Sequence, residues 1–251
     1  MYPDLFKIGP LVIHTYGLMM AIAFLVSYFL LKKETKKIGD SPDFAANMVF
    51  WAAIGGLAGA KLLYALENIK YTVQDPIGVI FSGAGLAYQG GLLGGTLAVI
   101  LFLKKNKRNI GVYADIVAPI LFIGQAIGRI GCFFAGCCHG VECNLPWAVR
   151  FPNAIPPAEG PVHPTQLYEA IYNTTMFFVL RRLRPKFKDR NWTIFSLYLI
   201  FAGAERFLIE FIRVNPVVFL GLTMFQYISL LMVITGVIIL LSLAKPKSKK
   251  S

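Results

Sequence analysis

Charge is scarce in this 251-residue chain: only 15% of its residues are Asp, Glu, Lys or Arg, against about 25% in a soluble globular domain. Acidic residues are the scarcer kind, 13 against 25 Lys and Arg, for a formal charge of +12. Histidine is limited to His14, His139 and His163, so any imidazole base comes from these three. Four cysteines occur, Cys132, Cys137, Cys138 and Cys143, with no C-x-x-C motif, which argues against thioredoxin-like chemistry. No basic region precedes the first apolar run, and KKETKK follows it where a small-residue cleavage site would stand, so a cleavable signal peptide is not expected. No internal repeat points to an inverted-repeat transporter. What is abundant is apolar surface, with 56% hydrophobic residues and a mean hydropathy of +0.61. The reading is an integral membrane protein.

Seven apolar segments fit a bilayer core of about 20 helical residues each. They lie near residues 13–31, 44–66, 81–103, 112–128, 165–180, 192–212 and 221–244. The segments after the first, third, fifth and seventh spans hold eighteen of the 25 Lys and Arg. By the positive-inside rule these share the cytoplasmic side. The expected fold is therefore all-α: a polytopic membrane protein of seven transmembrane helices, N-terminus outside and C-terminus cytoplasmic. It forms one domain over 1–251, with a central outer-face loop near 129–162 and a basic cytoplasmic tail at 245–251. The basic excess is topogenic, and a nucleic-acid partner is excluded on that ground.

The chain is organised around Gly124–Gly140, GQAIGRIGCFFAGCCHG. An arginine between apolar regions is costly without an anionic partner, which makes Arg129 a functional candidate. Arg206 stands in the sixth span with Glu205 and Glu210, and Arg213 follows. The plain reading of Arg206 is an i, i+4 pair with Glu210. The functional reading is a guanidinium fork on phosphate, and the natural phosphate there is a lipid headgroup. The topology brings His14, Tyr88, Gln89, Arg129, the cysteines, His163 and Arg206 toward the outer half.

Other features carry two readings each. Tyr88-Gln89-Gly90-Gly91 suits close helix packing or a site. His163-Pro164-Thr165 resembles a helix start with Thr capping, which leaves a functional role for His163 open. His14 beside Tyr16 fits an interfacial anchor or a site. The cysteines admit a disulfide, simple packing or a metal. C-C-H-x3-C is not a usual zinc spacing, so packing or a disulfide is favoured and no metal or cofactor is expected.

The chain resembles the prolipoprotein diacylglyceryl transferases of bacterial lipoprotein maturation. IHTYGLM, GLAYQGGLLGG, GRIGCFFAGCCHG, HPTQLYE, ERFLIEFIR and LTMFQ carry the resemblance, in order along nearly the whole chain. It implies seven spans, a bacterial cytoplasmic (inner) membrane location and an active site toward the outer leaflet. It also implies transfer of the diacylglyceryl group of phosphatidylglycerol to the lipobox cysteine thiol of a preprolipoprotein signal peptide, with loss of glycerol phosphate. Arg129 and Arg206 match the family's essential arginines. The family signature reads GRxGNFxNxExxG. Gly128, Arg129, Gly131, Phe133 and Gly140 keep it, whereas Cys132, Ala135 and Cys137 replace its two asparagines and its glutamate. Gln89 stands where the family has a histidine before two glycines, and Gln cannot act as a base. Either another group deprotonates the thiol, or the member is divergent with altered chemistry.

The expected catalytic set is Arg129, Arg206, His139, Gln89 and Glu210, with His139 taking over as base. Substrate contacts are expected from Arg129, Arg206, Arg213, Tyr16, His14, Tyr88, Gly90, Gly91, Gly140 and His163. The rival readings are a paralogue that transfers a lipid glyceryl group to another acceptor, and a non-catalytic lipid-binding or transport protein on the same fold.

Overall fold

A computed structural model describes residues 4–8, 11–81, 87–152 and 157–244. The expected basic tail, and with it Ser251, lies outside the described residues, as do residues 82–86 of the glycine-rich third segment. Long helices dominate. Among the described residues four are long and apolar enough to cross a bilayer: α1 (Thr15–Lys36), α2 (Pro42–Glu67), α6 (Ile110–Ala135) and α9 (Met224–Ala244). Between them lie α3 (Ile69–Gln74), α4 (Pro76–Phe81), α5 (Tyr88–Lys105), α7 (Thr165–Leu183) and α8 (Thr193–Ile209). The all-α expectation needs one correction. Three two-stranded antiparallel pairs are present: β1 (Asp4–Ile8) with β2 (Leu11–His14), β3 (Val149–Phe151) with β4 (Ala158–Val162), and β5 (Val217–Phe219) with β6 (Leu222–Thr223). Each lets a short connection satisfy its own backbone groups. The connection between the second and third segments is not a plain loop, since α3 and α4 occupy it.

The described chain divides into two compact units, Leu31–Ile110 and the remainder, Met1–Leu30 with Gly111–Ser251. In the first, α2 and α5 meet along a stripe of small residues. A Cβ on Gly59 would collide with the Gly90 carbonyl and lie 2.9 Å from Gly94 Cα, and one on Gly91 would lie 3.4 Å from the Gly56 carbonyl oxygen. Such stripes let helix backbones approach closely where lipid supplies no hydrophobic drive. Gly90 and Gly91 therefore have the packing role that their composition suggested. The Ala87 amide donates to the Ala60 carbonyl at 3.2 Å and ties the start of α5 to α2. Lys61 donates to the Val79 carbonyl of α4 at 3.2 Å.

In the second unit α6, α7 and α8 share a core of Ala118, Phe122, Phe177, Leu180, Ile194, Tyr198 and Ala202. Phe122 meets Tyr198 edge-on at 4.9 Å between ring centroids, a geometry aromatic quadrupoles favour. The start of α8 has no cap of its own. Asp115 on α6 accepts from the Phe195 amide at 2.8 Å and satisfies one of its free donors. Gly203 on α8 and Gly236 on α9 let those two helices pack closely, each facing a serine carbonyl oxygen of the other helix 2.7 Å from where its Cβ would stand.

Helix α6 runs seven residues past the expected end of the fourth span. Arg129 and Cys132 are thus helical rather than part of the central loop. The glycines that suggested a break face α1: a Cβ on Gly131 would lie 2.9 Å from Met19 Cβ and 3.4 Å from Tyr16 Cδ2. The helix stops at Gly136, where φ is 78°. The Gly136 amide bonds the Phe133 carbonyl and the Cys137 amide bonds the Cys132 carbonyl, each at 3.2 Å. These two bonds make a Schellman termination.

Candidate functional site

Helix α7 carries one buried stripe, Thr165, Gln166, Glu169, Ala170, Asn173, Phe177 and Leu180. Its C-terminal half is apolar and enters the core, while its N-terminal half is polar. The chain enters α7 from the loop that leaves α6, and α8 runs back alongside. The C-terminal end of α6, the N-terminal end of α7 and the C-terminal end of α8 therefore share one end of this unit. Arg129, Glu169 and Arg206 stand on those three ends.

Glu169 is the centre, with its side chain 1% exposed. Its Oε1 lies 2.9 Å from Arg129 Nη2 and 3.6 Å from Arg206 Nη1, and its Oε2 lies 3.6 Å from Arg213 Nη1. Arg206 Nη2 pairs with Glu210 Oε2 at 2.8 Å, the expected i, i+4 pair. Glu210 Oε1 accepts from Thr223 Oγ1 and Asn215 Nδ2, both at 2.8 Å. The Arg206 guanidinium also lies over the Phe225 ring, 4.6 Å from its centroid. Arg206 Nη1 and Arg213 Nε and Nη1 are buried without an aligned hydrogen-bond acceptor among the described residues. Three guanidinium groups thus converge, and Arg206 and Arg213 keep donors to spare, an arrangement suited to an anion with several oxygens.

Glu169 was missed as a site residue, although it stands in HPTQLYE. The signal was available: a carboxylate inside a membrane-spanning pattern is as costly as an arginine and implies a partner.

Gly140 ties three segments together. Its amide donates to the His163 carbonyl at 2.9 Å, the His163 amide to the Val141 carbonyl at 3.1 Å, and the Val141 amide to the Ile212 carbonyl at 2.9 Å. A Cβ on Gly140 would lie 2.5 Å from the Ile212 oxygen and 2.8 Å from His163 Cβ. His163 Nδ1 is 3.4 Å from Tyr168 Oη, which accepts from Trp147 Nε1 at 2.7 Å. Thr165 does not cap α7 as its position suggested. Its hydroxyl donates instead to the Cys138 carbonyl at 2.7 Å, and Gln166 Nε2 donates to the Cys137 carbonyl at 2.7 Å.

All four cysteines are free thiols. The sulfurs of Cys132, Cys137 and Cys138 lie within 4.8 Å of one another, while Cys143 stands apart in the loop. The Cys138 thiol is pushed below its ordinary range by hydrogen bonds from the Cys132 and Cys137 thiols, with a further one from Arg213. His139 faces the β3–β4 hairpin. Its ring stacks on Phe151 with centroids 5.6 Å apart, its Nδ1 is 3.1 Å from the Gly140 oxygen, and it lines a cavity of about 410 Å³ with Glu142, Glu159 and Gly160. Its ring therefore lies against this hairpin and beside the Gly140 carbonyl. His14 ends β2 and Tyr16 stands in the first turn of α1, both exposed. Gln89, exposed, begins α5 with Tyr88, Gly90 and Gly91 in the Leu31–Ile110 unit.

A family model described as Prolipoprotein diacylglyceryl transferase matches residues 3–242. A phosphatidylglycerol–prolipoprotein diacylglyceryl transferase of Clostridium tetani is 36% identical over 241 residues, covering 95% of this chain and 96% of the relative. The Clostridium perfringens protein of that name numbered 2 is 34% identical, with 97% and 96% covered. The Thermotoga maritima protein is 32% identical, with 97% and 86% covered. Identity at this level, spread over most of the length of both partners and over every helix that carries the arginine cluster, shows that the chain belongs to the prolipoprotein diacylglyceryl transferase family.

Proposed function

We propose that the protein transfers the diacylglyceryl group of phosphatidylglycerol to the thiol of a lipobox cysteine in a preprolipoprotein, forming a thioether and releasing glycerol phosphate. The observation that carries this reading is the convergence of Arg129, Arg206 and Arg213 on the buried Glu169. The names of the relatives support the donor and the acceptor class.

The arginines bind the lipid phosphate and stabilise charge as it develops on the leaving oxygen. Glu169 and Glu210 orient the guanidinium groups and offset their charge while no lipid is bound. Gly140 fixes the loop over this end, and His163, Tyr16 and His14 border the entrance for the headgroup and the signal peptide. The spans are α1, α2, α5, α6, α7, α8 and α9, with the N-terminus outside, the C-terminus in the cytoplasm and the arginine end toward the outer leaflet of the bacterial inner membrane. The basic segments after α1, α5 and α7 support that orientation.

The test is rescue of cells depleted of their own transferase. Expression of this chain is expected to restore diacylglyceryl modification of a reporter lipoprotein. A chain that reaches the membrane and restores none overturns the reading.

A further inference from the structure

We propose that Cys132, Cys137 and Cys138 bind one zinc ion, whose fourth coordination position takes the acceptor cysteine thiolate. The inference rests on the transfer reaction proposed above and supplies the way the acceptor thiol is ionised.

Geometry comes first. Tetrahedral zinc with Zn–S of about 2.3 Å needs sulfurs about 3.8 Å apart, and these three already lie within 4.8 Å of one another. The backbone holds them there. The Schellman bonds that end α6 bring Cys137 back over Cys132. Cys138 then turns at φ 66°, a left-handed conformation uncommon for a non-glycine residue. The Gln166 and Thr165 side chains hold the Cys137 and Cys138 carbonyls in place. The spacing argument against a metal took His139 and Cys143 as ligands. The folded chain gathers a different set, five residues apart across a helix end and then adjacent.

The number of ligands is informative. Structural zinc sites close with four protein ligands, whereas catalytic ones use three and leave one position open. Cys132 is buried, Cys137 half-buried and Cys138 exposed, so the open position lies on the Cys138 side. Three thiolates and one zinc carry a net charge of −1. Arg213 lies within electrostatic reach of Cys138, and Arg129 within that of Cys132 and Cys138. The thiol cluster and the phosphate-binding arginines are therefore neighbours, as attack of a thiolate on a phosphate ester carbon requires.

The site also answers a gap in the sequence. Gln89 and Cys137 occupy positions where the resembled signature has a histidine and a glutamate. A thiol bound to zinc is deprotonated outright, so transfer proceeds without an imidazole base. The acceptor R–SH loses its proton to solvent as it binds the metal. A sulfur lone pair attacks the diacylglyceryl carbon that carries the phosphate oxygen. The S–C bond forms, the C–O bond breaks, and its electron pair leaves on the oxygen held by the arginines. The neutral thioether is a weak zinc ligand and departs. Nothing is oxidised or reduced.

The test uses the full chain, reduced and purified in detergent, then titrated with zinc or cobalt(II). X-ray absorption is recorded with and without a lipobox peptide. The expected result is one zinc per chain with three sulfur ligands, rising to four with the cysteine peptide and remaining three when serine replaces the peptide cysteine. Cys138→Ser, at an exposed position, is expected to weaken cobalt binding by at least about tenfold, and Cys143→Ser to leave it unchanged. Absence of stoichiometric metal, equal binding by Cys138→Ser, or a sulfur count that ignores the peptide overturns the site. Transfer of labelled phosphatidylglycerol is measured on the same samples. A metal-free sample that transfers label overturns the zinc site and leaves the transferase reading standing. One that gains the fourth sulfur yet transfers nothing supports the site and overturns that reading instead.

Discussion

Arg129 on α6 reaches Glu169 on α7 at 2.9 Å, and the carboxylate it meets is 1% exposed. Breaking a buried ion pair by removing one partner typically costs about 3–5 kcal/mol, because the remaining charge is left uncompensated. Glu169 is shared by three arginines, so Glu169→Gln, which keeps the shape, is expected to lower the thermal unfolding midpoint clearly. Arg129→Gln should do so less, since Arg206 and Arg213 remain to pair with Glu169. Unfolding of both variants in detergent, followed by tryptophan fluorescence, checks the order.

Lysine keeps the charge of arginine and loses its fork. Arg129→Lys and Arg206→Lys are each expected to lose one charge-assisted contact, worth about 1.5–3 kcal/mol. That corresponds to a fall of roughly 10- to 150-fold in kcat/KM for lipid transfer. If both variants transferred labelled lipid at nearly the normal rate, the arginines would be structural.

Gly140 has no room for a side chain, with the Ile212 oxygen, His163 Cβ and Thr165 Cγ2 at 2.5, 2.8 and 2.9 Å from where its Cβ would stand. Gly140→Ala is expected to destabilise by about 1–3 kcal/mol through overpacking, and to reduce transfer because the loop shifts. Gly17→Ala, where nothing lies within 4 Å of the added carbon, serves as the control. Equal unfolding midpoints for the two variants would contradict the tie between the three segments.

His139 is the imidazole that the sequence offers as a replacement base, and its ring is stacked on Phe151 at the hairpin. With a metal-bound acceptor thiolate, His139→Gln is expected to leave the pH profile of transfer unchanged. Loss of an inflection from the profile in that variant would restore His139 as the base and count against zinc activation.

Orientation is tested by reporter fusions. Asp189, between α7 and α8, is expected in the cytoplasm, and Glu159, on β4, outside. A fusion after Ser251 is expected to report cytoplasmic. Reporter activity that placed the last of these outside would rule out an odd number of spans with an external N-terminus.

The sequence by itself determined the class of this protein, because the cost of charge in lipid acts on composition and on runs of about twenty residues, both readable in one dimension. The same cost marked Arg129 and Arg206 as residues needing partners. The i, i+4 spacing of Arg206 and Glu210 was legible for a similar reason, since neighbours on one helix face are set by the 3.6-residue repeat. What only the tertiary structure decided is which distant residues share a charge or a ligand. Glu169 becomes the partner of three arginines because the α6–α7–α8 core, with Phe122, Phe177 and Tyr198 at its centre, aligns three helix ends. The three thiols meet because a helix ends at Gly136 and the chain turns again at Cys138. Backbone reversals and packing register bring such groups together, and neither is carried by residue spacing along the chain.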